Sequence, residues 1–314
     1  MNSQAPALPG LSLADIRDAR ERIAPYIRTT PVMTVNLPTP NGLLEVVLKL
    51  ENLQVTGSFK PRGAFNSLLQ IDGKNVIACS GGNHGLAVAH AAQVLNKKAV
   101  IFVPKSAANT KVAAMKLTGA EVRQVGDVPA EAFTAAEAMA SETGWPLVHP
   151  YNQEPTLAGQ GTLGLELLHQ APQIRHWLLA VGGGGFPAAV ALAMAGEAEV
   201  IPIEPEGCPG LFEAQRAGHP VPVKAEGIAR TSLGAPSIGA LPWAILKDRV
   251  GPTVLVQEEA ILRAQGWLWR EARIVAEPGG ATALAALLCG AWVPDEAGPV
   301  GVVICGGNAD SLPA

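Results

Sequence analysis

Val46-Val47-Leu48-Lys49-Leu50, followed directly by Glu51-Asn52-Leu53-Gln54-Val55-Thr56-Gly57-Ser58-Phe59-Lys60-Pro61-Arg62-Gly63-Ala64, opens on an apolar run and closes on turn formers that lead into helix formers. The run at 45–50 reads as a buried strand and 64–70 as a helix, so Lys60 falls in a strand-to-helix junction. Glycine, serine, phenylalanine and proline crowd it. A lysine desolvated in such a place holds its proton less tightly and becomes a nucleophilic amine, suited to a Schiff base with a carbonyl compound. A solvated lysine capping a turn is the competing reading of this segment alone.

Outward from Lys60, short β-branched runs alternate with alanine- and leucine-rich stretches. Strands are predicted at 45–50, 76–79, 99–103, 121–124, 147–149, 177–181, 199–203, 253–256 and 300–305. Helices are predicted at 64–70, 86–95, 110–117, 130–142, 162–168, 188–195, 258–274 and 282–288. This alternation is the mark of an α/β fold on open, mostly parallel sheets. A compact set at 75–147 reads as a smaller α/β domain inserted in a larger one made of 1–74 and 148–314. Proline and glycine punctuate 149–161 as the chain returns.

In open α/β sheets, ligands bind beyond the carboxyl ends of strands. Two glycine loops stand there. Ser80-Gly81-Gly82-Asn83-His84-Gly85 follows the strand at 76–79, and Gly182-Gly183-Gly184-Gly185 follows the one at 177–181. Backbone amides without a Cβ at a helix start make an anion cradle. Neither loop carries Gly-x-Gly-x-x-Gly or ends in Gly-Lys-Ser or Gly-Lys-Thr, which argues against dinucleotide and ATP-hydrolysing readings. What remains is one activated lysine and two anion sites, one suited to a cofactor phosphate and one to a substrate carboxylate. Glu277-Pro278-Gly279-Gly280-Ala281 and Cys305-Gly306-Gly307-Asn308 also sit at element junctions. Read alone, Glu277 is a helix-start carboxylate and Cys305 a core thiol.

Composition excludes other classes. The 314 residues are 48% hydrophobic and 16% charged, enough for a sizeable core, and the net charge of −4 gives no electrostatic case for nucleic acid or an anionic membrane. The four cysteines, Cys79, Cys208, Cys289 and Cys305, form no metal-like spacing with the six histidines. Residues 1–10 do not read as a secretory signal, and the chain reads as cytoplasmic. The uncharged stretch 178–196 is long enough to span a bilayer, but its glycines and Pro187 favour a strand, a loop and a buried helix.

Together these motifs resemble the fold-type II (tryptophan synthase β-like) pyridoxal phosphate enzymes, in the branch of the serine/threonine dehydratases and serine racemases. Leu48 to Ala64, Ser80 to Gly85, Gly182 to Gly185 and Glu277 to Ala281 carry the resemblance. Glu204-Pro205 and Cys305 to Asn308 agree in order and spacing. It implies a cofactor Schiff base on Lys60, Phe59 near the cofactor ring, Asn83 at the ring hydroxyl, Gly182, Gly183, Gly184 and Gly185 around the phosphate, Glu277 in the cofactor site and Cys305 beside the pyridine nitrogen. Ser80, Gly81, Gly82, Asn83 and His84 would hold the substrate carboxylate. The implied reaction is β-elimination from serine, threonine or a related 3-hydroxy amino acid to give a 2-oxo acid and ammonia, with Lys60 as the base. A homodimer is implied as well.

Two departures bear on that resemblance. The racemases carry a serine as opposite-face base where this chain has Gly81, so racemisation should be weak. Their metal site joins a glutamate, matched by Glu204, to an aspartate where this chain has Gly210, so a Mg²⁺ or K⁺ site rests on Glu204 alone. A regulatory domain after the last motif, and with it feedback by isoleucine, is not expected. Other readings are specificity for 3-hydroxyaspartate, phenylserine or a hydroxyectoine-pathway amino acid, serine racemase activity, β-replacement as in cysteine synthase, or a non-catalytic member. Arg62, Arg230 and Arg273 are candidates to recognise an extra substrate carboxylate.

Overall fold

The structure, a computed structural model, describes residues 10–309 and residue 311. The reading of 1–10 as lacking a secretory signal lies outside them, apart from Gly10. Among the described residues ten strands form two sheets. They are β1 (Val32–Thr39), β2 (Gly42–Lys49), β3 (Asn75–Cys79), β4 (Lys98–Val103), β5 (Glu121–Gln124), β6 (Leu147–Val148), β7 (His176–Ala180), β8 (Glu199–Pro205), β9 (Val254–Val256) and β10 (Val300–Val303). One sheet runs β1-β2-β10-β7-β8-β9, the other β5-β4-β3-β6. Every pairing is parallel except β1 with β2, so the α/β class and the open, mostly parallel sheets hold.

Alternation along the strands explains the layering. Leu48, Leu178 and Val302 turn to one face of the larger sheet, where they join Ile261, Ala264, Leu284 and Leu287 of helices Glu258–Ala272 and Pro278–Cys289. Their neighbours Val47, Trp177, Leu179 and Val303 turn to the other face, against Leu163, Leu167, Val190 and Met194 of helices Glu154–Gln170 and Gly185–Met194. Both faces are covered, which is why these strands read as unbroken apolar runs rather than alternating ones.

Several elements depart from the sequence reading, among them the short helices Gly210–Ala217, Arg230–Leu233 and Ala240–Leu246, none of which was predicted. Strand β1 was not predicted: it is a half-exposed edge strand, and only such an edge tolerates Pro38. Helix Leu13–Ile23 was also missed, although Ser12 and Asp15 form a capping box and Ile16, Ala19 and Ile23 are buried at helical spacing. The returning segment 149–161 is loop only in part, because helix Glu154–Gln170 begins within it. Its glycines serve close packing. A Cβ on Gly159 would stand 2.2 Å from Arg62 O, and one on Gly164 2.7 Å from Ala193 Cβ. The uncharged stretch 178–196 resolves into the end of β7, the glycine loop and helix Gly185–Met194. Among the described residues no helix is long and apolar enough to cross a membrane.

Candidate active site

The loops that follow β2, β3, β7 and β10 converge around Lys60. The junction after β2 holds two 3₁₀ turns (Glu51–Leu53 and Val55–Gly57) and is shorter than the sequence suggests, because helix Lys60–Leu69 opens on Lys60 itself, four residues before the expected start at 64. Thr56 and Gly57 take left-handed φ of 60° and 76°. Their turn is held by the segment after β10: Phe59 N donates to Cys305 O at 3.1 Å, Gly307 N donates to Gly57 O at 2.8 Å, and Ser58 bridges Gly306. Lys60 Nζ donates to Pro150 O at 3.1 Å. Desolvation lowers its pKa to about 8, against the opposing pull of Cys305 and Glu277. The Phe59 ring stacks on Phe186 with centroids 4.0 Å apart.

The four-glycine loop is packed so closely against its neighbours that it leaves little or no room for a side chain. A Cβ on Gly182 would lie 3.2 Å from Leu233 Cα, on Gly183 2.3 Å from the Tyr151 ring, on Gly184 3.1 Å from Leu246 Cδ1, and on Gly185 2.7 Å from Tyr151 O. Gly184 also needs its φ of 84°. The loop opens helix Gly185–Met194, so its bare amides meet an anion at the positive end of the helix dipole. This donor set fits the phosphate of pyridoxal phosphate.

After β3, Gly82 N donates to Ser80 Oγ at 3.2 Å, which folds the loop. Asn83 begins helix Asn83–Val94 and donates to Glu277 Oε1, and its own Oδ1 accepts from Asn308 Nδ2 at 2.9 Å. His84 Nε2 lies 2.9 Å from Val148 O. Burial, then the Lys60 charge, pushes His84 down to about 3, so the ring is neutral and Nε2 carries the proton that Val148 O accepts. Its side chain is therefore committed to the backbone, and what this residue offers an anion is its amide. Cys305 Sγ donates to Gly279 O at 3.5 Å, and burial pushes the thiol up to about 12, so it stays protonated.

Lys60, Phe59, Asn83, Glu277, Cys305 and the two glycine loops are thus interconnected. Glu204 does different work, its two oxygens accepting from Leu211 N at 2.8 Å and Phe212 N at 2.9 Å at the start of helix Gly210–Ala217. Among the described residues no group of three or more His, Cys, Asp or Glu could hold a metal ion. Arg62 does not face the cleft. It is fully buried and paired with Glu51 and Glu166, while Arg230 and Arg273 are exposed. Sequence reasoning missed Pro150, His149, Tyr151 and the link from Asn308 to Asn83. Burial, then Lys60, pushes His149 down to about 4, and its Nδ1 accepts from Tyr151 N and Asn152 N at 3.2 and 2.9 Å. Nothing in His149-Pro150-Tyr151 announces such a role; only Asn308 stood inside a motif already singled out.

A family model described as pyridoxal-phosphate dependent enzyme matches residues 23–306. The chain belongs to that family. Its relatives include the L-threonine ammonia-lyase of Thermotoga maritima, 34% identical over 96% of this chain and 76% of that protein. The phenylserine dehydratase of Ralstonia pickettii is 35% identical over 97% of this chain and 94% of its own length. Among solved structures, maize serine racemase superposes with a TM-score of 0.89 at 31% identity, covering 96% of this chain and 95% of that one. The fold is that of the fold-type II pyridoxal phosphate enzymes, and Lys60, the glycine loop and Cys305 occupy a site that suits the family's cofactor.

Proposed function

We propose that this chain is a pyridoxal phosphate-dependent dehydratase, an ammonia-lyase that converts a β-hydroxy amino acid to a 2-oxo acid and ammonia. The observation that carries the reading is Lys60: its pKa is drawn to about 8, and it stands at a helix start near a four-glycine loop that opens a helix, a protonated thiol and an anion loop. The bound cofactor supplies an electron sink for negative charge at the substrate α-carbon. The chain's own groups do the rest. The amide-lined loop Ser80 to His84 binds and orients the substrate carboxylate. Lys60, once free and neutral, takes the proton from the α-carbon, and Pro150 O accepts from the ammonium that results. Cys305, a protonated thiol, cannot stabilise a charged pyridinium as a carboxylate would, and this favours prompt loss of the β-hydroxyl.

Serine and threonine are the default substrates of this reading, and the phenylserine dehydratase among the relatives keeps an aromatic 3-hydroxy amino acid in the panel. Racemisation is the second reading, since racemases are similar over most of the chain. Gly81 weighs against it, because it offers no proton-transfer group and a Cβ there would stand 3.0 Å from Ala107 Cβ. The domain division at 75–147, a homodimer and a cytoplasmic location belong to the same proposal.

The test is a panel of hydroxy amino acids read out as 2-oxo acid, with and without Mg²⁺ or K⁺, together with a visible spectrum. A cofactor band that shifts on adding substrate, and that is lost with turnover in Lys60→Ala, supports the proposal. Turnover that persists in Lys60→Ala overturns it, and rapid interconversion of L- and D-serine overturns the preference for elimination.

A further inference from the structure

Pro150 O is the acceptor for two side chains. Lys60 Nζ donates to it at 3.1 Å, and Gln160 Nε2, from helix Glu154–Gln170, donates to the same oxygen at 3.2 Å. A carbonyl oxygen has two lone pairs, and these two donors take both. We propose that Gln160 is a positioning residue for Lys60, acting through the Pro150 carbonyl that the two side chains share. The inference rests on the reading of Lys60 as the Schiff-base lysine.

Gln160 is fully buried, and its Oε1 has no partner among the described residues. The reverse orientation of the amide would set Oε1 against Pro150 O, two acceptors face to face, so the donor orientation is the stable one. A buried acceptor without a partner is a standing cost that an aliphatic side chain of similar size would avoid. Packing alone therefore gives no reason for an amide here. The donor on Pro150 O does.

The geometry is also held. Helices Lys60–Leu69 and Glu154–Gln170 approach so closely that a Cβ on Gly63 would lie 2.8 Å from Thr156 O and 3.3 Å from Gln160 Cγ. Gln160 is thus fixed relative to the helix that begins with Lys60, and it holds the peptide of Pro150 where the lysine amine meets it.

The shared carbonyl has an electrostatic consequence. An acceptor at hydrogen-bond distance favours the ammonium form of a lysine. A second N–H on the same oxygen weakens that preference and brings the positive end of an amide dipole towards Nζ. The other groups facing Lys60 are Glu277 and Cys305, whose negative forms would favour the ammonium, and His84 and His149, both held neutral. Cys305 stays a thiol. Gln160 therefore opposes Glu277 and helps burial keep the free lysine a competent base.

The experiment follows the free amine directly. Full-length chain stripped of cofactor is mixed with pyridoxal phosphate across pH 6–10, and the growth rate of the visible band reports the neutral fraction of Lys60. The wild-type midpoint should fall near pH 8. In Gln160→Met it should rise by roughly 0.5–1 unit, a shift of the size a lost dipolar partner causes, and the acid limb of kcat in the loaded enzyme should move the same way. Gln160→Glu is a second variant of nearly unchanged shape, and its carboxylate should move the midpoint further upward. Lowered thermal stability with an unmoved midpoint and acid limb would make Gln160 a packing residue and overturn the inference while leaving the cofactor reading intact. A wild-type chain that forms no band would overturn both.

Discussion

Asn308 Nδ2 donates to Asn83 Oδ1 at 2.9 Å and to Thr56 O at 2.8 Å, joining the segment after β10 to the helix start after β3 and to the turn before Lys60. With Asn83 also donating to Glu277 Oε1, the orientation of its amide is set on both sides, oxygen towards Asn308 and nitrogen towards Glu277. One N–H of Asn83 is left to serve the cofactor ring hydroxyl that the family resemblance places there. Asn308→Ala should release the amide to turn over and weaken pyridoxal phosphate binding about tenfold, the value of roughly one net hydrogen bond. A fluorescence titration of the stripped chain with cofactor measures it.

Gly183 admits no side chain because the Tyr151 ring lies where its Cβ would stand, at 2.3 Å. Gly183→Ala should lower unfolding stability by about 1–3 kcal/mol through overpacking and reduce cofactor retention on dialysis. Adding Tyr151→Ala should return much of the lost stability, since the clash is with that ring. Additive losses in the double variant would show that the ring is not the obstacle.

Arg62 donates to Glu51 Oε2 at 2.7 Å and to Glu166 Oε2 at 2.9 Å, and Lys49 also pairs with Glu166. The four charges balance in a region where Lys49, Glu51 and Arg62 have no exposed side-chain surface. Arg62→Met leaves the buried Glu51 and the partly buried Glu166 facing one lysine and should cost about 3–5 kcal/mol, measured by urea unfolding. A change below 1 kcal/mol would mean that the site rearranges or admits water.

Glu204 is fully buried, and desolvation raises its pKa to about 8 although two backbone amides pull it down. A carboxyl with a raised folded-state pKa stays protonated in the folded chain after it has ionised in the unfolded one. Its stabilising contribution is therefore whole below the unfolded value near 4.5 and is lost as pH rises towards 8. The slope is on the order of 1.4 kcal/mol per pH unit within that window. Glu204→Gln should remove this slope but lose one acceptor, since its Nε2 would face Leu211 N or Phe212 N, so the variant should melt lower than the wild type at low pH and the gap should shrink as pH rises. Parallel curves would show that Glu204 is ionised in the folded chain.

The parallel sheets were legible because both of their faces are covered, leaving apolar runs such as Val46 to Leu50 and Val300 to Cys305 intact in the sequence. Lys60 and the glycine loops were legible because each needs special local chemistry: a helix start, a left-handed φ or the absence of a Cβ. Strand β1 was not, since an edge strand carrying Asn36 and Pro38 has no such pattern. Pro150 and Gln160 were not legible either. One acts through a backbone carbonyl, which every residue has, and the other through an amide whose partner is distant in sequence. Arg62 misled for a related reason, because a partner as distant in sequence as Glu166 leaves no trace beside it.

The zipping of Cys305 to Gly307 onto Gly57 to Phe59 also bears on how the molecule is made. A ribosome delivers Lys60 early and the wall that encloses it late. Until the strand at Val300–Val303 and the residues behind it have emerged, the nascent chain carries the reactive amine without the thiol, the Asn308 clamp or the backbone partners that shape its turn. On the proposed reading of Lys60, the cofactor site is complete only once Cys305 to Asn308 have joined Thr56 to Phe59.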